Sequence, residues 1–143
     1  MSTYSFEDVS IVISHPSMGQ LIINGEGIGS ITTSMATEKT AHDVAADGSV
    51  MISKIAGENG TIALTMQQTS PAHKWMRNWY NHIRTADASE WASGKITVRS
   101  PVMQDLIRAK NVSPQKRADR VYQAQGQLVT WNLMAGQIVE ETA

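Results

Sequence analysis

The sequence predicts a mainly β protein, a sandwich or barrel of about seven or eight strands flanked by one α-helix. Three observations lead to this fold class. Apolar and polar residues alternate over several short stretches, which is typical of a strand with one buried face. Turn-forming Gly, Pro and Asn residues separate these stretches. One longer segment carries apolar residues at helical spacing.

The strands follow from the alternation and from the turn signals between them. They are expected at 8–13, 18–24, 30–35, 61–66, 95–99, 104–112 and 129–133. Alternation is weaker over 37–56, where Asp47-Gly48 is a hairpin turn signal. The sequence therefore predicts a long projecting hairpin at about 37–56.

The helix is expected at about 70–86. Ser70 is a favourable N-cap and Pro71 suits the first helical position. Apolar residues then recur every three or four positions, from Ala72 to Ile83. Because Trp75 and Trp79 belong to this series, we expect the helix to cover an open side of the β structure with large rings.

Composition indicates one globular domain spanning 1–143. The chain is 41% hydrophobic and 17% charged, with a net charge of -1 and no cysteine. This excludes disorder as the main state, a disulfide framework, thiolate metal sites and cysteine catalysis. No apolar run is long enough to span a membrane and no export signal is visible, so a cytosolic domain is the default expectation.

Charge is distributed unevenly along the chain. Residues 1–65 hold seven acids and two bases, whereas residues 66–134 hold four acids and ten bases. This separation suggests surfaces of opposite sign.

No catalytic, metal or cofactor site is predicted, and the protein is not expected to be an enzyme. The four histidines, His15, His42, His73 and His82, are interpreted as surface or partner-contact residues. The glycine-rich stretch 25–29 lacks the Lys-Ser/Thr ending of a phosphate loop and precedes a strand, so a hairpin turn is favoured there.

A basic stretch at 108–122 has two interpretations. It carries cations and Tyr122, and such a combination can bind a phosphate backbone. A solvated loop or a protein interface is favoured, because the isoelectric point of about 6.4 is low for a nucleic-acid-binding domain. The cations concerned are Arg108, Lys110, Lys116, Arg117 and Arg120.

Several short motifs, taken in order along nearly the whole chain, resemble the tail tube proteins of contractile-tailed bacteriophages. They are Tyr4-Ser5-Phe6, Asp8-Val9, Ala46-Asp47-Gly48-Ser49, Thr69-Ser70-Pro71, Ile96-Thr97-Val98-Arg99, Trp131 and Ala135-Gly136. The stretch 114–124 departs from the family by being more basic.

The resemblance implies a β-sandwich subunit in stacked, hexameric rings inside a contractile sheath. The genome would pass non-specifically through the channel of this tube. The resemblance also implies homo-oligomerisation and contacts with tail sheath, baseplate and tail-terminator proteins. The protein would assemble in the host cytoplasm and belong to the virion, with no cofactor and no membrane contact.

Three groups of residues are assigned on this basis. The channel is expected to be lined by small, uncharged side chains: Ser30, Thr32, Ser34, Thr61, Ala63 and Thr65. Their apolar neighbours Ile31, Met35, Ile62, Leu64 and Met66 should form the core. Contacts between rings are assigned to the 37–56 hairpin, through Glu38, Lys39, His42, Asp43, Asp47 and Lys54. The basic residues of 108–120 are assigned to contact with sheath or neighbouring subunit.

Two functions of other classes stay open from the sequence. One is a single-stranded nucleic-acid-binding β-barrel that uses 108–122. The other is a barrel that binds a small molecule.

Overall fold

The structure is a computed structural model, and it describes residues 3–24 and 27–142. The strands are β1 (Ser10–His15), β2 (Gly19–Ile23), β3 (Ile28–Met35), β4 (Thr40–Val44), β5 (Val50–Lys54), β6 (Gly60–Gln67), β7 (Gly94–Ser100), β8 (Asp105–Pro114) and β9 (Leu128–Thr142). The helix α1 spans Pro71–Thr85, and short 3₁₀ turns span Phe6–Asp8 and Ala88–Glu90. A mainly β fold with one helix is confirmed.

Seven strands form one antiparallel sheet in the order β2-β1-β7-β8-β9-β6-β3. Over the described residues this sheet does not close into a barrel, and β2 and β3 are its edges. One cleft is nevertheless lined by Ile31 of β3 together with Val98 of β7 and Ile107 of β8. Because these strands stand apart in the sheet order, the sheet must curl over its core.

The long strand β9 joins the two halves of this curled sheet. Its first part, up to Ala135, pairs with β6, and its second part, from Leu133, pairs with β8. Alternate residues are buried up to Ala135, but the next buried residue is Ile138, so the buried face changes along the strand. Gly136 lies at the change, beside Asn111, whose φ of 54° marks an irregularity in β8.

The helix forms as predicted, and its apolar side closes the core. The Ala72 amide donates to Ser70 Oγ at 3.1 Å, which caps the first turn. Met76, Trp79 and Ile83 are buried from this side. Trp79 is fully buried, so the predicted covering of the sheet by large rings is confirmed. No helix in the described part of the chain has both the length and the apolar character needed to cross a membrane.

The predicted projecting hairpin is present as a separate two-stranded sheet of β4 and β5. Every residue of both strands is exposed. The turn is closed by the Ala45 amide, which donates to the Ser49 carbonyl at 2.8 Å, and Gly48 takes the positive φ of 90° that the turn requires.

Most of the predicted core residues of β3 and β6 are confirmed, with one correction. Ile62, Leu64 and Met66 are buried and Ile31 is half-buried. Met35 is 49% exposed, because it lies at the end of edge strand β3, where its partner across the ladder is Gly60. The turn predicted at 25–29 falls partly outside the described residues, which do not include 25–26.

Candidate functional surfaces

A face without charged side chains runs across β3, β6 and β9. Directly paired residues share a face of a sheet, and the pairing Ser30–Thr65–Thr130 is followed by Thr32–Ala63–Asn132. The Thr65 and Thr130 hydroxyls hydrogen-bond to each other at 3.0 Å. We call the small and polar residues of this face the polar strip: Ser30, Thr32, Ser34, Thr61, Ala63, Thr65, Thr130 and Asn132. The exposed residues Leu128 and Met134 of β9 border it on the same face.

All six predicted channel residues lie together on the polar strip. Those of β3 are exposed, and those of β6 are half-buried because strands flank them on both sides. Sequence reasoning missed Thr130 and Asn132, although their alternation with Val129 and Trp131 was a usable signal. Whether the strip faces a channel depends on assembly and stays a prediction.

The hairpin residues predicted to contact another ring are all outside the core, but two of them also stabilise the hairpin itself. Lys39 Nζ donates to the Gly57 carbonyl at 3.0 Å and lies 3.9 Å from Glu58 at the hairpin base. Asp47 accepts hydrogen bonds from the Ser49 hydroxyl and amide, and these bonds lower the pKa of its carboxyl. Glu38, His42, Asp43 and Lys54 are exposed.

One face of the hairpin carries an exposed apolar patch beside His42 and Lys54. The sequence analysis assigned only charged residues and His42 to contacts and so missed this patch. Val44 pairs with Val50, and Ile52 lies next along the same face. Their side chains are 65%, 49% and 67% exposed, respectively. We call these three residues the hairpin apolar face. The sequence signal was the run from Val50 to Ile52 in a segment interpreted mainly by its charges.

The basic residues of 108–120 lie in two places rather than on one surface. Arg108 and Lys110 are exposed on β8. The other three, Lys116, Arg117 and Arg120, belong to residues 115–127, which we call the strap. The strap covers the edge of β9 that β8 leaves free, and the Gln115 amide donates to the Asn132 carbonyl at 2.9 Å.

The interpretation of the histidines as surface residues is wrong for His15, which is 3% exposed. Its Nδ1 accepts from the Ser17 amide at 3.1 Å, so its Nε2 donates to the Glu90 carbonyl at 2.9 Å. His82 contacts the Glu90 carboxylate at 3.3 Å. Hydrogen bonds from Ser17 and His82 lower the pKa of Glu90.

The same interpretation is wrong for His73, which is 1% exposed. Its Nδ1 accepts from Trp131 Nε1 at 3.2 Å. Burial lowers the pKa of this imidazole, and the charges of Arg77 and Arg120 lower it further. His73 is therefore a neutral core residue, whose partner lies too far along the chain to be seen from spacing. Within residues 3–24 and 27–142, no three His, Asp or Glu side chains are grouped as a metal site would require.

A family model described as the bacteriophage PhiTE tail tube protein matches residues 1–142. The chain therefore belongs to this phage tail tube family, as its motifs suggested. No curated protein matches it.

Solved structures with a similar fold come from contractile injection systems. A chain of the anti-feeding prophage baseplate, 6-fold symmetrised, has a TM-score of 0.63 and 11% identity, over 99% of this chain and 98% of that one. A chain of the sheath/tube terminator of an extracellular contractile injection system has a TM-score of 0.60 and 13% identity, over 92% and 93%. A chain of the sheath–tube complex of such a system has a TM-score of 0.57 and 11% identity, over 93% and 88%. At this identity the likeness shows the fold.

Proposed function

We propose that the protein is a structural, non-enzymatic subunit of a contractile tail tube, in which hexameric rings stack around a channel that passes the viral genome. The polar strip is the observation that carries this proposal. It is three strands wide, faces away from the core and has no charged side chain. An ordinary solvated sheet face would carry Lys, Glu or Arg, and this face carries none.

A neutral hydroxyl surface suits the wall of a channel for DNA. Lysine or arginine side chains would pair with phosphates and release counterions, so each contact would hold the passing strand. Serine and threonine remain solvated and offer no charge. The wall therefore lets DNA pass without sequence preference and without retention.

Ring formation is supported by the two open edges of the sheet. Strands β2 and β3 leave unpaired backbone groups at opposite ends of the strand order. A closed ring in which the sheets of neighbours meet removes such edges. Sixfold symmetry is proposed from the related baseplate chain, which belongs to a 6-fold symmetrised assembly.

Stacking of rings is assigned to the hairpin. It follows β3 and precedes β6 along the chain, and it exposes the hairpin apolar face. Burial of these apolar side chains against another copy would stabilise the contact. The charged residues around it, among them Asp43 and Lys54, would set the register of the contact.

Further protein partners are proposed from the assemblies that contain the structurally similar chains. These chains come from a sheath–tube complex, a sheath/tube terminator and a baseplate, which supports the same three classes of partner for this tube. We assign the basic residues of β8 and the strap to contacts with sheath or neighbouring subunit. The tube would assemble in the host cytoplasm and end in the virion, without a cofactor.

Electron microscopy of the purified protein, with light scattering over a range of concentrations, tests the proposal. Hollow tubes or stacked rings are expected. A variant in which 41–53 is replaced by a tight turn should keep the native circular dichroism spectrum but stop at single rings. A monodisperse monomer under all conditions contradicts the tube, whereas long tubes from the shortened variant contradict only the role of the hairpin.

A nucleic-acid-binding protein is the second candidate. Tyr122 is 79% exposed and Arg120 lies 5.4 Å from the centre of its ring, a pairing that single-stranded nucleic acids also use. Tight, salt-dependent binding of single-stranded DNA, lost in Tyr122→Ala, together with the absence of tubes would favour this function.

A further inference from the structure

A cavity of about 400 Å³ lies between the helix α1 and the strap. We call it the cationic pocket. Its lining comprises Lys74, Arg77, Asn78, Tyr80, Asn81, Arg117, Arg120 and Trp131. Four of these side chains are cationic and none is acidic. Among the described residues, no carboxylate lies within 4.0 Å of any of the four cations.

Two of the guanidinium groups are left with an unmet hydrogen-bonding demand. The Nε atoms of Arg77 and Arg120 are buried, and neither has a partner in the described part of the chain. Arg120 donates from Nη2 to the Tyr122 hydroxyl at 2.7 Å, but this bond does not involve its Nε. A buried donor without an acceptor destabilises the fold, so an acceptor bound in the cavity would offset part of this cost.

The positive potential of the pocket also reaches the core beside it. The pKa of His73 is lowered first by burial and then by the charges of Arg77 and Arg120. This imidazole is neutral, so it neither adds positive charge to the pocket nor offsets the repulsion between the cations. An anion in the cavity would relieve that repulsion.

The pocket lies between α1 and the strap, and Arg117 of its lining also lines a neighbouring cleft with Thr130 and Asn132 of the polar strip. Trp131 lies in its lining, whereas Thr130 and Asn132 belong to the strip. Successive residues of a strand point to opposite faces, so the two surfaces lie on opposite sides of β9. A ligand of the pocket therefore contacts the side of β9 that carries Trp131.

We propose that the cationic pocket binds the carboxylate side chains of an acidic segment on a protein partner. Guanidinium groups match carboxylates in geometry and bind them in pairs of hydrogen bonds. A nucleic-acid strand is disfavoured, because Tyr80 is half-buried and Trp131 fully buried, so no aromatic face inside the cavity is free to stack on a base. That this partner is the sheath outside the tube rests on the proposed function; the anion site itself does not.

Titration calorimetry of the full chain with hexaglutamate tests the site. Hexaglutamate should bind at low salt and lose binding at about 1 M salt, where the Debye length is about 3 Å. Arg77→Gln with Arg120→Gln should weaken binding at least about tenfold, through the loss of charge-assisted hydrogen bonds. Lys95→Gln with Arg99→Gln is the matched control, since both cations are exposed on β7 and lie outside the pocket lining.

Circular dichroism checks that both double variants fold. If the arginine variant does not, Lys74→Gln with Arg117→Gln replaces it, because both side chains are exposed. Absence of hexaglutamate binding, or equal weakening by pocket and control variants, overturns the site. Tighter binding of hexathymidylate than of hexaglutamate in the pocket overturns the protein partner in favour of nucleic acid. None of these outcomes depends on tube formation, which electron microscopy reports separately.

Discussion

Strands β3 and β6 lead directly into the hairpin, yet the main sheet and the hairpin are stabilised in different ways. On β6, Leu64 has no exposed surface, whereas Ile52 on the hairpin is 67% exposed. The main sheet is therefore stabilised by burial within one subunit. The hairpin has only its own ladder and turn, and such isolated two-stranded sheets are marginal in water. We infer that the apolar residues of the hairpin serve contacts outside the subunit.

The largest expected effect is on the free energy of unfolding, which should respond to a core substitution but not to a matching one in the hairpin. Leu64→Ala should lower the free energy of unfolding by about 2–5 kcal/mol, because it leaves a cavity in the core. Ile52→Ala removes a similar aliphatic side chain but should change that free energy by no more than about 0.5 kcal/mol, because the side chain is already exposed.

Urea denaturation of the two variants as dissociated subunits measures both changes. Equal losses would show that the hairpin belongs to the same cooperative unit as the core, and the comparison would then be wrong.

The sequence predicted the local part of this contrast. Alternation located β6 and residues 129–133 of β9, and the Ser70-Pro71 start located α1, because these signals depend on near neighbours along the chain. The rest of β9, up to Thr142, was not predicted as a strand. The same alternation placed all six predicted strip residues on one face. The exposed position of the hairpin followed from its weak pattern and its Asp47-Gly48 turn.

Features that join distant segments were not predictable in this way. The burial of His73 depends on Trp131, which comes from another element. The change of face along β9 depends on the meeting of Gly136 with Asn111. The cationic pocket forms only where the strap lies beside α1, so the sequence showed Arg117 and Arg120 as part of a basic run and gave no sign that Lys74 and Arg77 would join them.

A smaller, pH-dependent effect sharpens the comparison. The pKa of His73 is lowered in the folded protein from its ordinary value of 6.5. Above pH 6.5 both folded and unfolded states hold a neutral imidazole. As the pH falls below this value, the unfolded state binds the proton first, so the free energy of unfolding decreases until the folded pKa is passed.

The expected outcome is that His73→Gln reduces the loss of stability between about pH 7 and pH 5. His42→Gln is the control, because His42 is exposed on the hairpin and paired with Ile52. Urea denaturation at each pH gives the slopes. A wild-type slope that is unchanged in the His73 variant would show that other groups cause the acid sensitivity.

The smallest effect on folding and the most specific effect on function are expected at the polar strip. Thr32 is exposed and Thr65 half-buried on the solvent side of the sheet, so Thr32→Lys with Thr65→Lys should leave subunit stability and tube assembly nearly unchanged. Each ring would then carry added cations where the wall is now neutral, and these would pair with phosphates. Tubes of this variant should retain DNA in co-sedimentation, with a retention that falls steeply as salt rises.

Thr32→Gln with Thr65→Gln adds comparable bulk without charge and should retain no more DNA than the unmodified tubes. If the lysine tubes also retain none, the strip does not face the channel. The core and the hairpin would then still differ as described, but the neutral face of β3, β6 and β9 would need another explanation, such as contact with a neighbouring subunit.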